Sequence, residues 1–199
     1  MMAKLYFRYG AMGSSKTAQA LITNFNYHEK GKNVLLLKPS IDTRDGEDII
    51  RSRIGIEAVA KVIRPEDNIC SIYCDDICQG KYAVIIADEA QFFTAKQIDQ
   101  LRHIVDFNDI PVICYGLRTD FQTNFFPGSQ RLMEIADSIA EVKTICACGN
   151  KAIFNARLDD NGKLITSGEQ VMLGGNEKYV GMCSACYHAA KYAKESLYE

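Results

Sequence analysis

Lys16 and Thr17 close the stretch Gly10-Ala11-Met12-Gly13-Ser14-Ser15-Lys16-Thr17, which fits G-x-x-x-x-G-K-[ST] except that Ser15 stands where the second glycine belongs. The chemistry of such a stretch is phosphate binding. Backbone N–H groups of the loop and of the helix it opens point at phosphate oxygens. Lys16 would place a fixed charge on the β/γ phosphates, and Thr17 would offer its hydroxyl to Mg²⁺. Ser15 keeps its N–H, but its side chain enters crowded space and restricts φ. The bland alternative is a strand–loop–helix turn with a chance Lys-Thr. The loop follows a strand-like run and opens a helix-like one, which favours the phosphate reading.

A second constellation is Val84-Ile85-Ile86-Ala87-Asp88-Glu89-Ala90-Gln91, an apolar run ending in two carboxylates. Ligands of open α/β sheets bind at the C-terminal ends of strands. One carboxylate there can hold Mg²⁺, and its neighbour can accept the proton of an attacking hydroxyl. Asp88 is assigned to the metal and Glu89 to the base. Solvated acids at a helix start would be the alternative. His28, His103 and His188 lie outside any motif and are read as surface or packing residues.

The third is a set of thiols. Cys146-Ala147-Cys148 is a C-x-C, and Cys183-Ser184-Ala185-Cys186 is a C-x-x-C. Four thiolates could hold a tetrahedral, closed, structural Zn²⁺ that staples a segment too poor in core to hold itself. Free thiols, or a disulfide formed in air, are the alternatives. Cys70, Cys74 and Cys78 recur every four residues and read as one helix face packed in the core, and Cys114 as a core strand residue.

Elements must position these groups. Unbroken apolar runs at 34–37 and 82–87 indicate strands buried on both faces, hence a parallel sheet. Strands are also expected at 4–9, 58–62 and 111–115, and helices at 17–29, 65–78 (with Pro65 in its first turn), 94–107 and 187–197. The alternation predicts an α/β fold, a P-loop NTPase-type parallel sheet flanked by helices. The polar run 40–53 reads as a mobile excursion, a lid that orders over bound nucleotide. Composition changes near Thr144. We therefore expect an ATP-binding α/β domain over 1–143 and a small zinc-ribbon-like domain over 144–199.

The bulk numbers bound the partners. A chain of 199 residues with 47% apolar content can bury a core, and a net charge of −2 offers no basic field for nucleic acid. The longest apolar runs are strand-sized, so no membrane span is expected. The start MMAKLYFRYGAMG is unlike a signal peptide, and the thiols point to a reducing compartment, so the expected location is cytoplasmic.

In order along nearly the whole chain stand GAMGSSKT, Lys38-Pro39 with Asp42-Thr43-Arg44, DEAQFF at 88–93, YGLRTDFQ at 115–122, the paired cysteines and GGNEKY at 174–179. This series resembles the thymidine kinase family of the compact, zinc-containing type found in many bacteria and in animal cytosol. The resemblance implies transfer of the ATP γ-phosphoryl group to the 5′-hydroxyl of thymidine or deoxyuridine. It implies that Glu89 is the base, and that Asp42 and Arg44 belong to a lid near the transferred group. Gln91 joins the loop residues and Asp88 in the set expected to contact ATP, and Met12 is expected to contact both ligands. Phe92, Leu117, Phe121 and Phe126 would line the base-binding cavity. Gln170, Val171, Met172, Leu173, Gly174 and Tyr179 would clasp the nucleoside. Asn155 falls where the family often has a small hydroxyl residue near the thymine methyl. Arg157 matches a family arginine that could bind phosphate. The C-x-C pair departs from the family's C-x-x-C. The family also implies a homotetramer inhibited by dTTP. Competing readings are a P-loop kinase or ATPase for another small substrate, and a zinc ribbon that binds nucleic acid.

Overall fold

The computed structural model describes residues 2–171 and 179–192. Strand β1 (Leu5–Tyr9) leads through the phosphate loop into helix α1 (Lys16–Glu29), and β2 (Val34–Pro39) follows. Next come β3 (Ile49–Arg51), β4 (Glu57–Val59), β5 (Lys61–Ile63), α2 (Ile69–Ile72) and α3 (Cys74–Cys78). Then β6 (Val84–Ala87), a 3₁₀ turn (Ala90–Phe92), α4 (Ala95–Asn108), β7 (Val112–Gly116), α5 (Pro127–Ile135) and β8 (Ser138–Glu141) complete the large layer. Beyond it lie β9 (Phe154–Leu158), β10 (Leu164–Ile165), β11 (Tyr179–Met182) and α6 (Ser184–Tyr192).

Six strands form one sheet in the order β5-β2-β6-β7-β1-β8, every neighbouring pair parallel. The alternation of side chains along a strand builds two cores. Ile85 and Ala87 join Leu5, Phe7, Leu35, Leu37, Val112 and Cys114 on the face covered by α4 and α5. Val84 and Ile86 join Leu36 and Tyr115 on the face covered by Ala20 and Leu21 of α1. The apolar runs lack alternation because both faces are covered. The parallel P-loop-type sheet flanked by helices is therefore the observed fold. Among the described residues no helix is long and apolar enough to cross a membrane.

Three local expectations are corrected. The single helix over 65–78 is two short ones. Residues 64–67 form a turn, Asn68 Oδ1 caps α2 by accepting from Ser71 N at 3.0 Å, and Tyr73 leaves helical geometry at φ −111°. In consequence Cys74 and Cys78 are exposed and Cys70 is half-buried rather than all three being core. The strand over 58–62 is divided at Ala60: β4 pairs antiparallel with β3, while β5 pairs parallel with β2. Helix α6 begins at Ser184, ahead of the expected start, and 193–197 lie outside the described residues. Helix α5 and strand β8 were not expected at all.

The small sheet β10-β9-β11 is antiparallel. It docks on the large layer through Tyr187 of α6, whose hydroxyl donates to the Phe121 carbonyl at 2.8 Å while its ring stacks on Phe154.

Candidate active site

The phosphate loop is shaped by three residues. A Cβ at Gly10 would lie 2.3 Å from the Val142 carbonyl oxygen, so only glycine fits. Gly13 has φ +78°, and Ser15, which caps α1, has φ 61° and ψ 26°. The left-handed conformation that the motif's glycine would take freely is thus imposed on a serine. Lys16 is buried, and its Nζ donates to the carbonyls of Gly10 and Ala11, both at 3.0 Å, and lies 3.1 Å from Ser14 Oγ. Burial lowers its pKa to about 8, against the attraction of Glu89 and Asp88.

Asp88 and Glu89 stand at the C-terminal end of β6. Asp88 is buried, and desolvation followed by the charge of Glu89 raises its pKa to about 7, while a hydrogen bond from Thr17 opposes the shift. A desolvated carboxyl beside a second carboxylate and a threonine hydroxyl is a donor set that suits a hard cation such as Mg²⁺. Glu89 is itself strained, at φ 47° and ψ 40°. Its Oε1 accepts from Arg44 Nη2 at 2.5 Å and its Oε2 from Gln91 Nε2 at 2.5 Å. The other end of the Gln91 amide accepts from Leu117 N at 3.0 Å, so Gln91 holds the carboxylate against the end of β7. Burial pushes the Glu89 carboxyl up, but Arg44, Lys16 and Gln91 together hold it below its ordinary range.

Two cavities meet at this carboxylate. One, of about 260 Å³, is walled by Phe92, Leu117, Phe121, Phe126, Asn155 and Tyr179, with Asp42, Gln170 and Val171 at its edges. The other is a cleft over residues 13–18. Met12, Arg44, Glu89 and Leu117 line both. The expected substrate-contacting residues are therefore gathered in one cavity, save Met172, Leu173 and Gly174, which lie outside the described residues. Gly10 and Ala11 sit beneath the loop as acceptors for Lys16 rather than on either wall. Gln91 and Asp42 line the apolar cavity rather than the phosphate cleft.

Several contributors had no role in the sequence reading. Asp120 accepts at Oδ1 from the N–H groups of Gln122 and Asn124, at 2.8 and 2.9 Å, and at Oδ2 from Gln170 Nε2 at 2.9 Å. Its turn chemistry is the signal that could have found it. Lys38 is wholly buried, and its Nζ donates to the carbonyls of Gly46 and Ile49, pinning the 40–53 excursion to β2. Arg157, which the resemblance placed near phosphate, does not line the phosphate cleft: its guanidinium is 5.2 Å from the Phe121 ring centroid and 6.0 Å from that of Tyr179.

The ligand atoms of Cys146, Cys148, Cys183 and Cys186 all lie within 4.8 Å of one another. Gly149, at φ +87°, turns the chain back so that Cys146 N can donate to the Asn150 carbonyl at 2.8 Å. The C-x-C pair reaches the cluster by this turn. Backbone N–H bonds lower the Cys146 and Cys148 thiols, while contact with the other three sulfurs pushes Cys186 up to about 12, so the four groups share their protons as one set. The four-sulfur group could hold zinc. Ala11 of the phosphate loop packs in the same cluster as Cys146, Ala152 and Cys183.

A family model described as thymidine kinase matches residues 3–187. A thymidine kinase of Legionella pneumophila (strain Paris) is 46% identical, over 97% of this chain and 93% of that protein. One of Shewanella oneidensis is 46% identical over 92% of this chain and 95% of its own length. One of Rhodopirellula baltica is 44% identical over 97% and 92%.

Proposed function

The chain belongs to the thymidine kinase family, and on that premise we propose that its two adjoining cavities perform one reaction, triphosphate in the cleft over the loop and nucleoside in the apolar cavity. The protein transfers the γ-phosphoryl group of ATP to the 5′-hydroxyl of thymidine, giving dTMP and ADP in nucleotide salvage. The observation that carries the assignment of parts is that Glu89 lines both cavities. A carboxylate at the junction faces the place where a 5′-hydroxyl from one cavity would meet a γ-phosphorus from the other.

Glu89 accepts the proton of the 5′-hydroxyl as its oxygen bonds to the γ-phosphorus. The bond from that phosphorus to the β,γ-bridging oxygen breaks, and ADP leaves with the electron pair. Lys16 exchanges its loop carbonyls for phosphate oxygens, and the loop N–H groups supply further donors. Arg44 exchanges part of its bond to Glu89 for the transferring group, which frees the base. Thr17 and Asp88 would hold Mg²⁺, which neutralises phosphate charge when bound. Phe121 and Tyr179, edge-on at 6.5 Å, cover the nucleobase with Phe92, Leu117 and Phe126. Gln170 and Val171 begin the clasp over the base edges. Deoxyuridine, which lacks only a methyl group, is accepted by the same walls.

The same reading assigns 1–143 to ATP and 144–199 to the nucleoside clasp, with zinc on the four cysteines. It extends to a cytoplasmic homotetramer inhibited by dTTP, whose nucleoside and triphosphate would span both cavities. The test is transfer from ATP-Mg²⁺ to thymidine, deoxyuridine, deoxycytidine, deoxyadenosine and deoxyguanosine. Reaction of the first two alone is expected. Equal reaction of deoxycytidine or a purine would overturn the assignment of the apolar cavity.

A further inference from the structure

Asn155 is more firmly anchored than a cavity wall requires. It lies on β9 and is 4% exposed. Its Oδ1 accepts from Met12 N at 2.8 Å, and its Nδ2 donates to the Thr119 carbonyl at 2.6 Å. The two partners are unlike, one a donor and one an acceptor, which fixes the orientation of the amide. They belong to segments remote from β9: Met12 to the phosphate loop, Thr119 to the turn that carries Asp120 and Phe121 into the apolar cavity. Met12 itself lines both cavities. Opposite Asn155 on β11 is Gly181, where a Cβ would come within 3.0 Å of the Met12 carbonyl oxygen. The Met12 backbone thus lies against the small sheet, its N–H bonded to Asn155 and its carbonyl close to Gly181.

Phosphate entering the loop competes for a lysine engaged next to this point. Lys16 Nζ is engaged by Gly10 O, Ala11 O and Ser14 Oγ, the acceptors that flank Met12. When phosphate takes the ammonium, these groups lose their partner, which shifts the balance of contacts around Met12. A planar amide bonded at both ends and 4% exposed transmits that displacement to the 119–121 wall, because losing the bond to the Thr119 carbonyl would leave a buried group unsatisfied.

Resting on the assignment of the two cavities above, we infer that Asn155 is a positioning residue that couples them, so that ATP phosphates and nucleoside bind cooperatively. A residue with only a hydroxyl is too short to bridge the same two groups. Coupling of this kind is reciprocal: whatever the nucleotide does for nucleoside affinity, the nucleoside does for the nucleotide.

Calorimetric titration of thymidine, with and without a non-hydrolysable ATP analogue and Mg²⁺, measures the coupling. In the wild-type protein the analogue should tighten thymidine about fivefold or more. Asn155→Asp keeps the acceptor for Met12 N but sets a carboxylate against the Thr119 carbonyl, and Asn155→Leu removes both bonds. In each the coupling, a ratio of affinities measured within one protein, should fall to near unity. Gly181→Ala, pressing on the Met12 carbonyl, should weaken the coupling with Asn155 intact. A folded Asn155→Asp protein with wild-type coupling overturns the inference, and this variant decides the matter if Asn155→Leu does not fold. Wild-type protein that binds thymidine with no coupling also overturns it and leaves the kinase assignment standing. Failure of the wild type to bind thymidine would sink that assignment, and the coupling with it.

Discussion

Arg44 Nη2 lies 2.5 Å from Glu89 Oε1, so a guanidinium of the 40–53 excursion covers the carboxylate that faces both cavities. The same arginine bonds Asp42 through Nε at 2.6 Å. The excursion is therefore latched to the end of β6 by the group expected to accept the substrate proton. A phosphate entering the cleft competes with Glu89 for this guanidinium, which links nucleotide arrival to release of the base.

Glu89→Gln preserves the shape and the Gln91 contact but cannot accept a proton. Steady-state kinetics should show kcat lower by about 10²–10⁴-fold, with little change in calorimetric affinity for an ATP analogue. Turnover close to wild type would remove Glu89 as the base.

The pH profile should report Arg44. Glu89 must be ionised to act, and its carboxyl is held below the usual range chiefly by Arg44 working against burial. The acid limb of kcat/KM should therefore lie below the ordinary glutamate range, and Arg44→Gln should move it upward. The stability sign agrees: with the folded-state pKa depressed, the contribution of Glu89 is present above its unfolded-state pKa and is lost as pH falls through the folded one. A limb that stays in place in Arg44→Gln counts against the pairing.

Ser15 occupies left-handed backbone at φ 61°. Ser15→Gly should relieve that strain and stabilise the protein by about 1 kcal/mol net of glycine's entropy, raising Tm by about 2–4 °C. Ser15→Val should lower it. Equal melting temperatures for the three would show that the position carries no strain.

The cysteine cluster shares its packing with Ala11 of the phosphate loop. Cys183→Ser should abolish bound zinc, measured by mass spectrometry, and cost about 3 kcal/mol or more of stability. It should also weaken ATP-analogue binding, although no cysteine lines the phosphate cleft. Unchanged melting and unchanged nucleotide affinity in a metal-free variant would confine the cluster to a role outside the site.

Much of this site is readable along the chain because its parts are local. A strand, a loop and a helix N-terminus follow one another within residues 5–29, so the phosphate loop announces itself, and Asp88-Glu89 directly ends a buried run. The C-x-C departure looks tighter than a metal site needs until Gly149 is seen to turn the chain back. Residues 65–78 mislead because cysteine spacing mimics a helix face, whereas Asn68 starts one helix and Tyr73 ends it. Helix α5 is hidden by Gly128 in its first turn. There a Cβ would stand 2.4 Å from the Ala90 carbonyl oxygen, so the glycine serves close packing rather than a break.

The sequence by itself determined the chemistry available: a phosphate loop with its lysine, a carboxylate pair at a strand end, paired thiols, and a buried parallel sheet to carry them. Each depends on near neighbours and on periodicity, which short stretches of chain encode. Only the tertiary structure decided which distant groups meet. Arg44 reaches Glu89, Gln170 reaches Asp120, Asn155 joins Met12 to Thr119, and Arg157 faces Phe121 rather than phosphate. The first follows from how the 40–53 excursion folds over the end of β6, the others from how the small sheet docks on the large layer, sums of many weak packing terms that no local pattern records.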